Sequence, residues 1–237
     1  MKRKMGAWII LAIIVLIGGA AFVGYTVFKI EAISIEGNET YSDEEVLYQS
    51  GIEMGTNIFM LDENQVQQRI SASPVIVYES LERRYPNEVV LRVRERIPVA
   101  VVQHLDAFLL IDEEGYIVEI GTFEEAQQYP VITGLNSTAF QLGAQIVATD
   151  DFQIQSLNRI LVSLRAFDIR LSGIDISNTA EIVLISEEGI SIRVGNADEL
   201  EDKLNRAGDI LAHLKTMGKT GGTLDVSSAS GGNYIPD

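Results

Sequence analysis

Few residues of this chain have the types and spacing that catalysis or metal binding requires. His104 and His213 lie far apart, and neither belongs to a His-x-x-x-His or Glu-x-x-His pair of the kind that binds zinc. The sequence has no cysteine, which excludes disulfides, thiolate metal ligands and a cysteine nucleophile. It also lacks a Gly-x-Ser-x-Gly elbow and a P-loop. The sequence therefore predicts no catalytic residue, metal site or cofactor.

Two acidic segments could in principle bind calcium or act as acid and base. They are Asp112-Glu113-Glu114 and Glu187-Glu188. Each is followed by a glycine, Gly115 or Gly189, and each lies between two apolar stretches. A solvated hairpin turn needs this arrangement, so we interpret both segments as turns.

Lys203 is a further candidate, because some membrane-anchored peptidases outside the cytoplasm use a Ser/Lys dyad. It lies among Glu199, Glu201 and Asp202 on a predicted helix, and Glu199 has the (i, i+4) spacing of a helical ion pair. A salt bridge or a partner contact is therefore favoured over catalysis. A membrane-anchored extracytoplasmic hydrolase is the alternative function, and it would require a cleft with convergent polar groups.

The N-terminal segment predicts a membrane anchor. Residues Gly6 to Phe28 carry no charge, and as a helix they would reach about 34 Å, enough to cross a hydrocarbon core of about 30 Å. Lys2-Arg3-Lys4 precede the run, which predicts a cytoplasmic N-terminus of residues 1–5 and a transmembrane helix of residues 6–28. A cleaved signal peptide is the alternative, with Gly18 to Ala21 as the cleavage site, but the apolar run continues past it.

The composition of the rest of the chain restricts its partners. The formal net charge is −16 although the first residues are basic, so the part predicted to lie outside the membrane is strongly acidic. Such a surface repels phosphate backbones, and nucleic-acid binding is not expected. Without disulfides, this part must be stabilised by its hydrophobic core.

The first exterior unit, residues 29–96, predicts the order β-α-α-β-β. A strand over Ile30–Glu36 precedes two short helices, whose N-caps are Ser42 and Asp62. Two strands follow, over Val75–Tyr85 and Val89–Arg94. This order resembles a POTRA domain, a small α+β module that binds other proteins. We expect Ile58 and Phe59, which come between the helices, to pack beneath them, although an exposed binding surface is the alternative.

The second unit, residues 97–227, predicts a mixed β domain with helices, followed by a polar tail over residues 228–237. Its predicted strands alternate in hydropathy and its two helices have apolar residues at helical spacing. The predicted elements are strands Val99–His104, Phe108–Ile111 and Tyr116–Ile120, helix Asp151–Phe167, strands Glu181–Ile185 and Ile190–Val194, helix Asp198–Met217, and strand Thr223–Ser227.

Short motifs spread along the whole chain resemble the FtsQ/DivIB family of bacterial cell-division proteins. Each motif is common by itself, and the resemblance lies in their order and spacing behind a single anchor. The motifs are Ile35-Glu36-Gly37-Asn38 with Ser42, Gly55-Thr56-Asn57-Ile58-Phe59, Arg83, Pro86, Glu95-Arg96, Pro98-Val99-Ala100, Leu110-Ile111-Asp112 with Gly115, Pro130-Val131-Ile132-Thr133-Gly134, Gly195 with Lys203, and Leu224-Asp225-Val226.

The resemblance implies a non-enzymatic scaffold at the division septum. Its implied partners are FtsL-like and DivIC/FtsB-like single-pass proteins with coiled-coil ectodomains, together with septal peptidoglycan synthases and the lipid around the anchor. Its implied location is the bacterial cell membrane, with the large C-terminal part outside the cytoplasm. A POTRA-bearing transport or assembly factor is a third possibility, but such a protein would normally carry several POTRA copies.

The last predicted strand is the candidate partner site. Thr223–Ser227 is flanked by glycine pairs, so we expect it at a sheet edge that can accept a strand from a partner. A closing strand followed by a disordered tail is the alternative. Family members often have a basic and an aromatic residue where this chain has Ser227-Ser228. The predicted partner contacts are Lys203, Leu224, Val226, Ser228 and Tyr234.

Overall fold

The computed structural model has an α+β fold and describes residues 2–135, 137–148, 150–167, 169–228 and 231–237. The chain divides into two compact units, Met1–Glu95 and Arg96–Asp237. The first helix, α1, spans Lys2–Val27. Within the residues that the structure describes, no helix combines the length and the apolar character needed to cross a membrane.

The first unit contains a three-stranded sheet with two short helices. The strand order is β1-β3-β2, in which β1 and β3 are parallel and β2 and β3 antiparallel. This is the predicted β-α-α-β-β sequence of elements. After α1 they are β1 (Ala32–Glu36), α2 (Asp43–Ser50), α3 (Glu63–Ser71), β2 (Ile76–Arg84) and β3 (Glu88–Glu95).

The two helices of this unit begin at the predicted caps. Ser42 and Glu45 form a reciprocal capping box at the start of α2, and Gly51 ends that helix in the left-handed conformation. Asp62 accepts hydrogen bonds from the second and third amides of α3. Both helices pack on the sheet through a core that includes the fully buried Ile58 and Ile70. Local capping thus sets the start of each helix, and burial holds it in place.

Glu95, at the end of β3, accepts hydrogen bonds from three backbone amides in the loop between β1 and α2. Its Oε1 accepts hydrogen bonds from the amides of Glu39 (2.8 Å), Thr40 (2.9 Å) and Tyr41 (2.8 Å). Burial alone would raise the pKa of Glu95, but these backbone donors favour the charged form and lower the pKa below its usual range. The carboxylate therefore fixes the loop between β1 and α2.

We expect Glu95→Gln to lower the free energy of unfolding of the first unit by about 1 kcal/mol at neutral pH, allowing for solvent screening. Because the folded-state pKa is depressed, the stabilisation by Glu95 is present above the unfolded pKa of about 4.3 and is lost as the pH falls through the folded value. Native-state hydrogen exchange at pH 7 and near pH 3 measures this difference. Glu79→Gln, at an exposed position on β2, is the control. An effect of Glu95→Gln that is equal at both pH values would contradict the assignment.

The second unit is built on a nine-stranded sheet. The strand order is β14-β13-β12-β11-β10-β7-β4-β5-β6, and a separate pair joins β8 and β9. Its elements are β4 (Ala100–His104), β5 (Ala107–Ile111), β6 (Ile117–Gly121), α4 (Phe123–Ala126), β7 (Val131–Thr133), β8 (Ser137–Ala139), β9 (Val147–Ala148), α5 (Asp151–Ala166), β10 (Leu171–Asp175), β11 (Ile182–Ser186), β12 (Ser191–Gly195), α6 (Leu200–Thr216), β13 (Thr223–Asp225) and β14 (Asn233–Ile235).

The short strand β7 joins two halves of this sheet. It pairs in parallel with β4 on one side and with β10 on the other. The neighbouring strands within each half are mostly antiparallel. Helices α5 and α6 contribute Leu157, Ile160 and Leu204 to the core that the sheet also lines. The sheet consequently ends in two edges, β6 and β14.

Candidate functional site

The last predicted strand lies inside the sheet. β13 pairs in parallel with β12, with Leu224 opposite Ile192, and antiparallel with β14, with Leu224 opposite Tyr234. The prediction that Thr223–Ser227 forms the edge is therefore wrong. The chain reverses after β13, with Gly231 at a φ of 86°, and its last residues add one more strand. The edge is β14.

Strand β14 and the residues after it are held in place by hydrogen bonds to Gly221 and Gly222. Asp237 accepts a hydrogen bond through Oδ2 from the amide of Gly222 (2.9 Å), and the Tyr234 hydroxyl donates to the Gly221 carbonyl (3.0 Å). A Cβ atom on Gly222 would lie 2.6 Å from the carbonyl oxygen of Ile235, so only glycine permits this approach. These contacts make the C-terminal strand a defined part of the sheet.

The predicted partner contacts have different surroundings in the structure. Leu224 and Val226 are fully buried in the core of the unit. Ser228 is exposed and Tyr234 half-buried, and both lie in the segment that begins after β13. Lys203 is buried on α6. The two apolar residues and Lys203 therefore lie beneath the surface of the unit, whereas Ser228 and part of Tyr234 are exposed.

Lys203 has a different bond from the predicted one. Its ammonium donates to the backbone carbonyl (3.0 Å) and the side-chain oxygen (3.1 Å) of Asn196, and within the described residues this replaces the predicted pair with Glu199. The Lys203 amide donates to the Glu199 carbonyl (3.2 Å), but Glu199 has a φ of 51° and precedes the first residue of α6, so its side chain does not start from helical backbone as an (i, i+4) ion pair requires. Lys203 therefore links α6 to the loop that precedes it, through Asn196.

Arg206 is a residue of the site that sequence reasoning missed. It lies on α6, and its Nη2 donates to the backbone carbonyls of Val226 (3.3 Å) and Ser228 (2.9 Å). This arginine ties the chain just after β13 to the helix. Its position one turn after Lys203 was a signal for a shared helical face, but no sequence pattern specifies a backbone carbonyl as the acceptor.

The turn at the end of β13 is stabilised locally. Asp225 accepts through Oδ1 from the Ser227 amide (2.9 Å) and the Ser227 hydroxyl (2.6 Å). These two hydrogen bonds lower the pKa of Asp225, so the side chain is charged at neutral pH. The bonds from Ser227 to Asp225 thus hold the turn that follows β13.

The first of the two acidic segments is a structural turn. Asp112 is 1% exposed, and its Oδ1 accepts from the amides of Glu114 (3.0 Å) and Tyr116 (2.8 Å). Arg96 forms an ion pair with Asp112 Oδ2 and with Glu114 (3.1 Å), and its guanidinium stacks 3.7 Å from the centre of the Tyr116 ring. Burial would lower the pKa of Arg96, but Asp112 and Glu114 outweigh it and raise that pKa. The interpretation as a turn is confirmed, but Asp112 is buried and not solvated as predicted.

The remaining candidates for chemistry have ordinary surroundings. Glu188 forms an ion pair with Lys215 (3.2 Å) in the second acidic turn. Hydrogen bonds from its own backbone N–H and from Lys215 lower the pKa of Glu188. His104 lies edge-on to Phe140 with ring centres 5.1 Å apart, and His213 is exposed on α6. Among the residues that the structure describes, no three His, Cys, Asp or Glu side chains are grouped as a metal site would require.

Comparisons with known proteins cover both units. A family model described as the FtsQ-type POTRA domain matches residues 28–96, and one described as the C-terminal part of the cell division protein FtsQ/DivIB matches residues 100–227. Cell division protein FtsQ of Syntrophotalea carbinolica is 34% identical over 194 residues, which are 80% of this chain and 67% of that protein. Cell division protein DivIB of Clostridium acetobutylicum is 25% identical over 201 residues, 84% of this chain and 80% of that protein.

Proposed function

Because this chain belongs to the FtsQ/DivIB family of cell-division proteins, we propose that it is a non-enzymatic scaffold of the divisome. In this role it binds FtsL-type and DivIC/FtsB-type proteins and so helps to recruit and regulate the septal peptidoglycan synthases. A scaffold needs an accessible surface with defined geometry and does not need a polar cleft. The open edge of the nine-stranded sheet is such a surface.

The proposal includes a single membrane anchor. Residues 1–5 lie in the cytoplasm, 6–28 cross the cell membrane and 29–96 form the POTRA domain. The β domain begins at residue 97, and the segment 228–237, which the sequence predicted as a polar tail, belongs to it because it contains β14. The uncharged run of Gly6 to Phe28, its basic N-terminal flank and the helical course of α1 support this topology. The acidic exterior does not favour binding to nucleic acid.

The observation that carries the partner site is the position of β14. An edge strand offers unpaired backbone donors and acceptors, to which a partner can add a strand while alternate side chains give specificity. In β14 the outward side chain with the largest apolar exposure is Ile235, which is 57% exposed. Ser228 and Tyr234 lie in the same C-terminal segment. We therefore expect a partner strand to pair along β14.

The test compares the two edges of the same sheet. Ile235→Lys places a charge on β14, and Ile120→Lys does the same on β6, where Ile120 is 50% exposed. We expect Ile235→Lys to weaken binding to the ectodomains of the two coiled-coil proteins about tenfold or more, since losing a central interface contact costs at least about 1.4 kcal/mol. Binding of the full-length chain in detergent to each ectodomain provides the measurement.

Ile120→Lys should bind as the unmodified chain does, because the opposite edge is not the partner site. Equal weakening by both substitutions would show a general effect of charge. Unchanged binding in Ile235→Lys would move the interface away from β14, and failure of the unmodified chain to bind either ectodomain would contradict the scaffold function itself.

A further inference from the structure

The first unit carries an exposed apolar patch beside the end of α1. We define the membrane-proximal patch as Phe28, Phe59, Met60 and Tyr85. Phe59 is 62% exposed and Met60 76% exposed, and Tyr85 is also exposed. The expectation that both Ile58 and Phe59 pack beneath the helices is thus wrong for Phe59, since the two side chains point in different directions and only Ile58 enters the core.

Three aromatic rings form the centre of the membrane-proximal patch. The rings of Phe28 and Phe59 have centres 5.0 Å apart, Phe59 and Tyr85 stack at 5.3 Å, and Phe28 meets Tyr85 edge-on at 6.3 Å. Such distances are those of favourable aromatic pairs. The patch is therefore a continuous cluster of rings with its outer side uncovered by the unit.

Hydrogen bonds fix the loop that carries Phe59 to the end of α1. The amide of Ile58 donates to the Phe28 carbonyl (2.8 Å), and the amide of Ile30 donates to the Thr56 carbonyl (2.9 Å). The Asn57 side chain donates to the Gly24 carbonyl in the last turn of α1 (3.2 Å). The loop cannot move away from the helix end without breaking these bonds, so its position follows that of the helix.

We propose that the membrane-proximal patch inserts into the headgroup region of the outer leaflet, as a second contact with lipid beyond the anchor. The inference rests on the proposed anchor, which ends at Phe28. The headgroup layer of one leaflet is roughly 5 to 8 Å thick. Since the rings of Phe59 and Tyr85 lie 5.0 and 6.3 Å from that of Phe28, a span ending at Phe28 brings both into this layer.

The chemistry of the patch fits a lipid interface. Tyrosine is enriched at this depth because its ring is apolar and its hydroxyl remains hydrated. Near the patch, the Lys29 ammonium lies 5.0 Å from the centre of the Tyr25 ring. A lysine with an apolar stem and a charged tip suits the boundary between hydrocarbon and headgroups. The exterior part of the chain is acidic, so the attraction is apolar and should not require anionic lipid. The patch thereby orients the first unit on the membrane.

Tryptophan fluorescence of the full chain in phosphatidylcholine vesicles tests the proposal. Trp8 is the only tryptophan, and it lies within the proposed anchor. In a Trp8→Phe chain, Phe59→Trp is the reporter, and Tyr48→Trp, on the exposed surface of α2, is the matched control. We expect quenchers attached near the lipid headgroups to quench the Phe59→Trp reporter several-fold more than the control. Met60→Trp is a second reporter that does not alter the ring cluster.

The chain with its native Trp8 separates failure of the patch from failure of the anchor. If lipids brominated near the headgroup end of the acyl chains quench Trp8, which lies close to the start of the span, while the Phe59→Trp and Met60→Trp reporters behave like the control, the patch proposal is overturned and the anchor stands. If Trp8 also escapes quenching, both fail. Quenching that appears only after a partner ectodomain is added would assign the patch to protein binding and overturn the lipid assignment.

Discussion

Arg96→Ala should destabilise the second unit by about 3 to 5 kcal/mol, because it leaves the carboxylate of Asp112 buried without its counter-ion. With Arg96 in place Asp112 is only 1% exposed, so its carboxylate has little contact with solvent. The substitution also removes the stacking of Arg96 on Tyr116. Native-state hydrogen exchange of the amides in β5 and β6 reports the local free energy of opening, independently of the first unit.

Glu114→Gln is the matched control for this prediction, since Glu114 binds the same guanidinium. Its side chain is 44% exposed, so we expect a loss below about 1 kcal/mol. In the double variant Arg96→Ala/Asp112→Asn, the loss should be smaller than the sum of the two single losses, because no unpaired charge is left buried. Additive losses would contradict the ion pair as the source of the effect.

Two truncations of the C-terminus should have opposite consequences for folding. Ending the chain after Gly222 removes Leu224 and Val226, which are fully buried. Truncating one such side chain to alanine commonly costs about 2 to 5 kcal/mol, and an entire domain has a net stability of only about 5 to 15 kcal/mol. We therefore expect the second unit to lose its cooperative structure, measured as loss of amide protection throughout β10 to β12.

Ending the chain after Ser228 keeps both buried residues and the Arg206 bonds to Val226 and Ser228. This truncation should leave the second unit folded while removing β14, so partner binding is lost without unfolding. A folded unit after truncation at Gly222 would contradict the core assignment of Leu224 and Val226. Tighter partner binding after truncation at Ser228 would indicate that β14 competes with the partner for β13.

The parts of the fold that local sequence determines were predictable. The caps at Ser42 and Asp62 and the alternating strand Val89 to Arg94 depend on neighbouring residues only, and each element is present. The three-residue strands β7 and β14 were not predicted, because so short a segment carries no periodicity and is stabilised by partners distant in sequence. Because β14 was not predicted, the sequence placed the sheet edge at Thr223–Ser227, one strand too early.

The site residues show the same division between local and distant causes. The apolar character of Leu224 and Val226 was read from sequence, but whether an apolar side chain faces the core or a partner depends on the rest of the sheet. The pair predicted for Lys203 required Glu199 to be helical, and the positive φ of Glu199 places it outside α6. Such backbone conformations are set by the packing of the helix and not by spacing.

The position of β7 has a consequence for the order in which the second unit folds. β4, β5 and β6 pair between near neighbours in sequence, as do β10, β11 and β12, so the entropy lost in closing their loops is small. The parallel pairs of Val131 with Val101 and with Gly173 close much longer segments. Because long-range parallel pairing is slow to form, we infer that two separate half-sheets form early and that their union at β7 limits the folding rate.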